Sequence, residues 1–173
     1  MGDESKEVKL TNIWNYARLL TKDAYILATA HFYRANYWGI VYLIMGMTSI
    51  IFSLFAGTSL LYGSEGLEKI AGILALISSI IIAVSTFIKP HKQEQDHSRA
   101  GSSFISLYYN VRVFCEVETI IRKTEDEEQI LSKLRELIEE RDEIDKISPR
   151  IPKKTWRKAG VASKVHFKKD PIN

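Results

Sequence analysis

Two long stretches of this chain contain no charged residue. The first, at residues 38–62, reads WGIVYLIMGMTSIIFSLFAGTSLLY, and the second, at residues 70–88, reads IAGILALISSIIIAVSTFI. An uncharged, mainly apolar stretch of about 18 residues or more is long enough to cross a bilayer as a helix. Because a small soluble core rarely contains two such stretches in succession, the sequence predicts two transmembrane helices rather than two buried helices of a soluble protein.

The two stretches are separated by only a short polar connection, residues 63–69. So short a link forces the two helices into an antiparallel hairpin, with both chain ends on one side of the membrane. Lysine and arginine favour the cytoplasmic side, and they flank the hairpin at Arg18, Lys22, Arg34, Lys89, Lys92 and Arg99, whereas the connection has only Lys69. We therefore expect a multi-pass protein of the inner (cytoplasmic) membrane, with an external loop at 63–69 and both termini cytoplasmic.

The remainder of the chain has the composition of solvated helices. Charged residues make up 26% of the 173 residues, and all of them lie outside the two spans. Apolar spacing predicts one helix over residues 12–35, a second after Pro90, and a third that follows a capping box of Thr124 and Glu127 and ends at Pro149. The apolar positions of these helices are Ile13, Ala17, Leu20, Ala24, Leu27 and Ala35, then Ala100, Phe104, Leu107, Val111, Phe114 and Ile121, then Ile130, Leu134, Leu137, Ile138, Ile144 and Ile147. The expected fold class is an all-α membrane protein: a two-helix transmembrane hairpin with a cytoplasmic helical bundle.

The chain accordingly divides into four parts. Residues 1–36 are expected to form an N-terminal cytoplasmic helix, 37–89 the transmembrane hairpin, 90–148 the cytoplasmic helices, and 149–173 a basic C-terminal tail. The tail sets one acid, Asp170, against the basic residues Arg150, Lys153, Lys154, Arg157, Lys158, Lys164, Lys168 and Lys169. Such charge suits docking on the acidic helix before it or on anionic lipid headgroups. Nucleic-acid binding is not expected, because no nucleic-acid motif accompanies the charge.

Each span carries a stripe of small residues at helical spacing. The stripe of the second span is Gly72, Ala75, Ser79, Ala83 and Thr86, and the shorter one of the first span is Gly46, Ser49, Ser53 and Gly57. In lipid, such stripes allow helices to approach closely. They either hold the hairpin together or form a dimer, or else Ser79 and Thr86 line a weakly polar pore in an oligomer. A single hairpin is too small to enclose a path, so any pore requires several copies.

Residues suited to catalysis or metal binding are few. His91, Asp96 and His97 lie close together in the sequence, but no further partner residue completes a catalytic or metal-binding arrangement with them. The single cysteine, Cys115, excludes an internal disulfide and a cysteine-rich metal site, and its place on an apolar flank is typical of a core residue. No glycine-rich phosphate loop is present. We expect no enzyme activity, no catalytic residue, no cofactor and no bound metal.

Short motifs around the hairpin resemble those of the SLATT family. An AHF-R-A element precedes the first span, GTS lies near its outer end, TFIKPHKQEQDHSRAGSSFISLYYNVR runs on from the end of the second span, and SPRIPKKTWRKA comes later. The resemblance extends from about Thr29 to Ala159 and rests on the order of the motifs. The matching positions are His31, Phe32, Arg34, Phe87, His97, Ala100, Gly101, Pro149, Pro152, Trp156 and Ala159.

Members of this family are prokaryotic two-span membrane proteins that occur beside nucleotide-signalling or reverse-transcriptase defence genes. The resemblance implies an oligomeric pore-forming or membrane-permeabilising effector of an anti-phage (abortive infection) system. It further implies three kinds of partner: the lipid bilayer, other copies of the chain, and a signalling protein or nucleotide messenger from a neighbouring defence gene.

Two alternatives stay open at this point. His31 and His97, at comparable heights on neighbouring helices, either hydrogen-bond across the helix pair and sense the state of the hairpin, or have a purely structural role. The chain as a whole is either the effector just described or a non-conducting membrane scaffold or sensor, which recruits a cytosolic partner through the acidic helix or the basic tail.

Overall fold

The chain is almost wholly helical. The computed structural model describes residues 2–61, 65–117 and 127–168. These residues form the helices α1 (Gly2–Leu61), α2 (Glu65–Ile88), α3 (Pro90–Glu116), α4 (Glu127–Ile147) and α5 (Lys153–Phe167). No strand occurs among the residues so described, and the expected all-α class is confirmed.

The helices form two compact units. The first unit, which we call the bundle, comprises Met1–Arg34 and Asp96–Asn173, and the second, which we call the hairpin unit, comprises Ala35–Gln95. Helices α1 and α3 contribute residues to both units. Within the part of the chain that the structure describes, two helices are long and apolar enough to cross a membrane, as judged by length and composition.

Helix α1 is longer than apolar spacing predicts. It begins at Gly2 rather than at Asn12, and it continues without a break through Gly39 into the first apolar stretch. The early start was missed because residues 2–9 have no apolar periodicity, although their glutamate and lysine content favours helix. Helix α2 likewise begins at Glu65, so that residues 65–69 of the expected loop are helical. Loop residues 62–64, the expected apolar position Ile121, the Thr124 cap, and Lys169 and Asp170 of the tail lie outside the described residues.

Helices α2 and α3 meet at Lys89, which has a φ of 50°. A left-handed backbone is uncommon for lysine, and proline in the next position disfavours the α-helical region for the residue before it. Backbone hydrogen bonds continue on both sides, from the Lys89 amide to the Ser85 carbonyl at 2.9 Å and from the Gln93 amide to the Lys89 carbonyl at 3.1 Å. Lys89 therefore redirects the chain while only one residue leaves the helical conformation.

The bundle has one hydrophobic core, built from α1, α3 and α4. At one end of it, the Trp14 and Phe114 rings stack with their centroids 4.6 Å apart. The other core residues include Ala17, Leu20, Ala24, Phe104, Leu107, Val111, Ile130, Leu134 and Ile144. Most of the expected apolar positions are thus buried, but Ile147 is 83% exposed. That expectation was wrong because α4 ends at Ile147, beyond the part of the helix that the core covers.

Serine hydroxyls join the two antiparallel helices of the hairpin unit. The Ser78 hydroxyl donates to the Ser49 carbonyl oxygen at 3.1 Å, and its oxygen lies 2.9 Å from the Ser53 hydroxyl. Ala56 and Ala71 are buried at the same contact. In lipid, where the alternative is an unsatisfied hydroxyl in hydrocarbon, such a bond stabilises helix association by roughly 0.6 kcal/mol. The face of α2 that contains Ala71 and Ser78 is therefore the one that packs on α1.

A pair of cysteines at Ser53 and Ser78 tests this register. In a Cys115→Ala background, we expect Ser53→Cys with Ser78→Cys to form an intramolecular disulfide in membranes, because the two hydroxyl oxygens are 2.9 Å apart and a disulfide needs Cβ atoms about 4 Å apart. After oxidation, the two cysteines should be protected from modification by maleimide-polyethylene glycol, and dithiothreitol should reverse this protection. The oxidised chain should migrate as a monomer in gel electrophoresis. The matched control is Ser53→Cys with Ser79→Cys, because Ser79 lies about 100° further around α2. Equal protection of both pairs at the mobility of a monomer would contradict the packing described; a disulfide between copies at position 79 would instead migrate as a dimer.

Candidate functional site

A buried pair of histidines joins α1 and α3 in the bundle. His31 is 1% exposed and His97 is 2% exposed. Their Nδ1 atoms are 3.0 Å apart, which is hydrogen-bond distance. The two positions are 66 residues apart in the sequence, and the fold brings them into direct contact.

Small residues allow the two helices to approach at this point. Ala28 on α1 and Ala100 on α3 are buried beside the pair. At Gly101 a Cβ atom would lie 2.9 Å from Cε1 of the Phe32 ring, so the ring occupies the space that any larger residue would need. On the other side, the Phe104 ring stacks on His31 with centroids 5.5 Å apart and planes inclined by 16°. The pair is therefore enclosed by apolar groups.

The hydrogen bond constrains the protonation of the two rings. When both are neutral, one Nδ1 carries a hydrogen and donates to the other Nδ1, so the two rings hold different tautomers. If both rings were protonated, both Nδ1 atoms would be donors and the bond would be lost. Burial and, to a smaller extent, the neighbouring His97 ring together lower the pKa of His31 to about 4. Both rings are therefore neutral at neutral pH.

Charged neighbours act on the pair in opposite directions. Burial lowers the pKa of His97, and the positive charge of Arg34 lowers it too, whereas Asp96 raises it. The net direction is downward, so that the bond between the rings is maintained in neutral solution. Protonation would place positive charge between two packed helices beside Arg34, and it would oppose their contact.

Both rings are almost inaccessible to a substrate, and among the described residues no group of three histidine, cysteine or acidic side chains could hold a metal ion. His91 lies apart from the pair and contacts Gln95 and Glu94 at 3.0 and 3.4 Å. Cys115 is buried, with its sulfur 3.9 Å from the Thr21 hydroxyl. The pair is a buried hydrogen-bonded contact between α1 and α3.

The remaining positions of the family resemblance lie at several places. Pro149 and Pro152 follow α4, and the Pro152 carbonyl accepts hydrogen bonds from the amides of Thr155 and Trp156 as α5 begins. Ala159 is buried, Trp156 is 45% exposed, and Phe87 on α2 is 88% exposed. His31, Phe32, Arg34, His97, Ala100 and Gly101 are brought together around the histidine pair.

The predicted stripe of α2 points away from the other helix of the hairpin. Gly72, Ala75, Ser79, Ala83 and Thr86 are all exposed. The Ser79 and Thr86 hydroxyls donate to carbonyl oxygens of their own helix, at Ala75 and Ile82. In the first span, Ser49 and Ser53 face α2, whereas Gly46 and Gly57 have open space beside them. The hairpin contact on α2 is instead made at Ser78, which sequence reasoning missed because neighbouring rows of small residues have the same spacing.

Sequence reasoning also missed how the basic tail folds. Residues 153–167 form α5, and its His166 ring stacks on Tyr25 of α1 with centroids 4.2 Å apart and planes inclined by 9°. On α3, the Tyr108 hydroxyl lies 3.4 Å from Nε2 of the same ring. The signal was the aromatic pair His166 and Phe167 near the end of an otherwise basic segment. These contacts attach α5 to α1 and α3.

Comparisons of the chain with protein-family models, with curated proteins and with solved structures found no match. We therefore infer a function from the geometry of the two units and from the sequence motifs that they contain.

The histidine pair predicts a loss of stability in mild acid. The pKa of His31 is about 4 in the folded chain and about 6.5 in an unfolded one. The unfolded state therefore binds more protons between these values, so the contribution to stability is complete above about pH 6.5 and decreases as the pH falls towards 4. Between pH 7 and pH 5, we expect the bundle to lose about 2 kcal/mol through His31.

Thermal unfolding in detergent as a function of pH measures this effect. His31→Gln removes the titrating ring and retains an amide that can bond to His97, so its unfolding midpoint should decrease less between pH 7 and pH 5 than that of the native chain. His91→Gln, at an exposed histidine, is the control and should follow the native chain. If His31→Gln and the native chain have the same pH dependence, the pair is not the sensitive group.

Proposed function

We propose that this chain is an oligomeric membrane-permeabilising effector of a prokaryotic anti-phage (abortive infection) system. In this proposal, the hairpin unit inserts in the inner membrane with both chain ends in the cytoplasm. Several copies associate there and form an ion-conducting path. The bundle controls this step in response to a signalling partner or nucleotide messenger.

The exposed small-residue stripe of α2 is the observation that carries the proposal. Within one copy, α2 packs on α1 through Ala71 and Ser78, and the stripe that contains Ser79 lies about 100° around the helix from this face. Small residues in lipid favour close helix–helix contact, and the contact inside one hairpin does not use them. A neighbouring copy is the partner that such a face fits.

The resemblance to the SLATT family supports the same interpretation. The positions that cluster in the bundle, around His31 and His97, belong to that resemblance, and they lie on α1 and α3, the helices that contribute residues to both units. A change in the bundle would thus act on segments that continue into the hairpin unit. We assign control of opening to this part of the chain.

Ion leak from bacteria that express the chain tests the proposal. Ser79→Leu places a large side chain in the stripe, on a face exposed within one copy. We expect this variant to fold and insert but to reduce the ion leak by tenfold or more. The measurement is the response of a membrane-potential dye, which should be correspondingly smaller than with the native chain. Val84→Leu adds one methylene to an exposed position outside the stripe and should leave the leak unchanged.

Ser79→Ala separates the two interpretations of the stripe. If the stripe acts by close packing, alanine should conserve the leak; if the hydroxyl lines the path, the leak should decrease. An unchanged leak in Ser79→Leu would remove the stripe from the mechanism. If the native chain causes no leak and the inserted chain retains a cytosolic protein, the alternative function of a non-conducting membrane scaffold is favoured instead.

A further inference from the structure

An apolar groove runs between α1 and α5 in the bundle. It has a volume of about 580 Å³, within the range of roughly 300–1,000 Å³ of small-molecule sites. Its apolar wall consists of Ile26 from α1 and of Trp156, Val161 and Phe167 from α5. Trp156 is 45% exposed and Val161 is 67% exposed, so the wall is accessible from solvent.

Gly160 keeps the middle of the groove open. A Cβ atom at this position would meet no other atom within 4 Å. The space above Gly160 is therefore unfilled, and a bulkier residue there would enter the groove without a clash against the bundle.

Four basic residues surround the apolar wall. They are Lys22 on α1, Arg157 and Lys164 on α5, and Lys168 directly after α5, and none of the described residues that line the groove is acidic. Lys22 Nζ lies 5.9 Å from the centroid of the Phe167 ring, at the boundary between the apolar and basic parts. The groove is thus complementary to an anion that also has an apolar part.

The polar groups of the groove do not suit a ligand with a hydrogen-bonding ring. Apart from the indole N–H of Trp156, the hydroxyl of Ser163 is the one uncharged hydrogen-bonding side-chain group among the described lining residues. Ser163 is 3% exposed, and its hydroxyl donates to the Gly160 carbonyl at 2.9 Å. A nucleobase would find few partners for its edge, whereas an acyl chain needs none. Charge and apolarity together favour a lipid over a soluble phosphate compound.

We propose that the groove between α1 and α5 binds one anionic phospholipid. The phosphate contacts Arg157 and Lys164, since arginine and lysine both bind phosphate oxygens by charge-assisted hydrogen bonds. One acyl chain lies along Ile26, Val161 and Phe167. Such binding requires that the chain meets a membrane, as in the proposed function, and it does not depend on pore formation.

Lipid retention by the purified full-length chain tests the proposal. The chain in detergent is equilibrated with equal amounts of dioleoylphosphatidylglycerol and dioleoylphosphatidylcholine, and bound lipid is counted by native mass spectrometry. We expect the native chain to retain phosphatidylglycerol selectively, with one molecule per chain. Arg157→Gln with Lys164→Gln should reduce this retention by about tenfold or more, given the usual contribution of a basic residue beside an anionic lipid.

Two further variants make the test specific. Lys153→Gln with Lys154→Gln removes the same charge from the exposed start of α5, outside the groove, and should retain the lipid as the native chain does. Gly160→Leu keeps all the charges and fills the groove, and it should abolish retention while helicity and thermal stability are preserved. Ion leak is measured on the same variants, so that failure of the lipid site is distinguished from failure of the pore.

Several results would overturn the proposal. Equal retention of the two lipids would show that the groove does not select an anion. An equal loss in the Lys153/Lys154 pair would indicate diffuse attraction to the basic tail, and full retention by Gly160→Leu would place the lipid elsewhere. If inorganic phosphate or adenosine monophosphate binds in the absence of lipid and displaces phosphatidylglycerol, a soluble phosphate compound is the ligand.

Discussion

A bilayer offers no hydrogen-bonding water, and this is the constraint that two helices among the described residues are long and apolar enough to meet. A chain segment in hydrocarbon must satisfy its backbone polar groups internally, and a helix does so within one segment. The two uncharged stretches are helical over their described residues, 38–61 and 70–88, and α1 runs unbroken through the first of them. Polar side chains there obey the same constraint: Ser79 and Thr86 donate to carbonyls of their own helix, and Ser78 bonds to the facing helix.

In the bundle, the corresponding constraint is the cost of burying polar groups. A buried imidazole without a partner would destabilise the contact between α1 and α3 by roughly 1–3 kcal/mol. His31 and His97 avoid this cost by bonding to each other at 3.0 Å. The same burial keeps them neutral, because the charged forms would lose their hydration. Stability and proton sensitivity thus have a common origin, and they lie in the helices that contribute to both units.

Much of this fold can be predicted from the sequence, and the failures have physical reasons. The uncharged stretches predict the hairpin, and spacing such as Phe104, Leu107 and Val111 predicts the core face of α3. The sequence does not distinguish the face of α2 that contains Ser78 from the stripe that contains Ser79, because the two rows of residues are offset by only one position and both contain small side chains. The burial of Trp14 and the docking of α5 depend on contacts between distant segments. The groove at Gly160 arises from those contacts and has no local signal.

Disulfide cross-linking between copies in native membranes tests most directly the central claim, that the exposed face of α2 is where copies meet. Single cysteines are placed at Ser79 and at Val84 in a Cys115→Ala background. We expect Ser79→Cys to yield a disulfide-linked dimer on mild oxidation and Val84→Cys to remain monomeric under the same conditions. A dimer at Val84 with none at Ser79, or none at either position, would contradict the central claim.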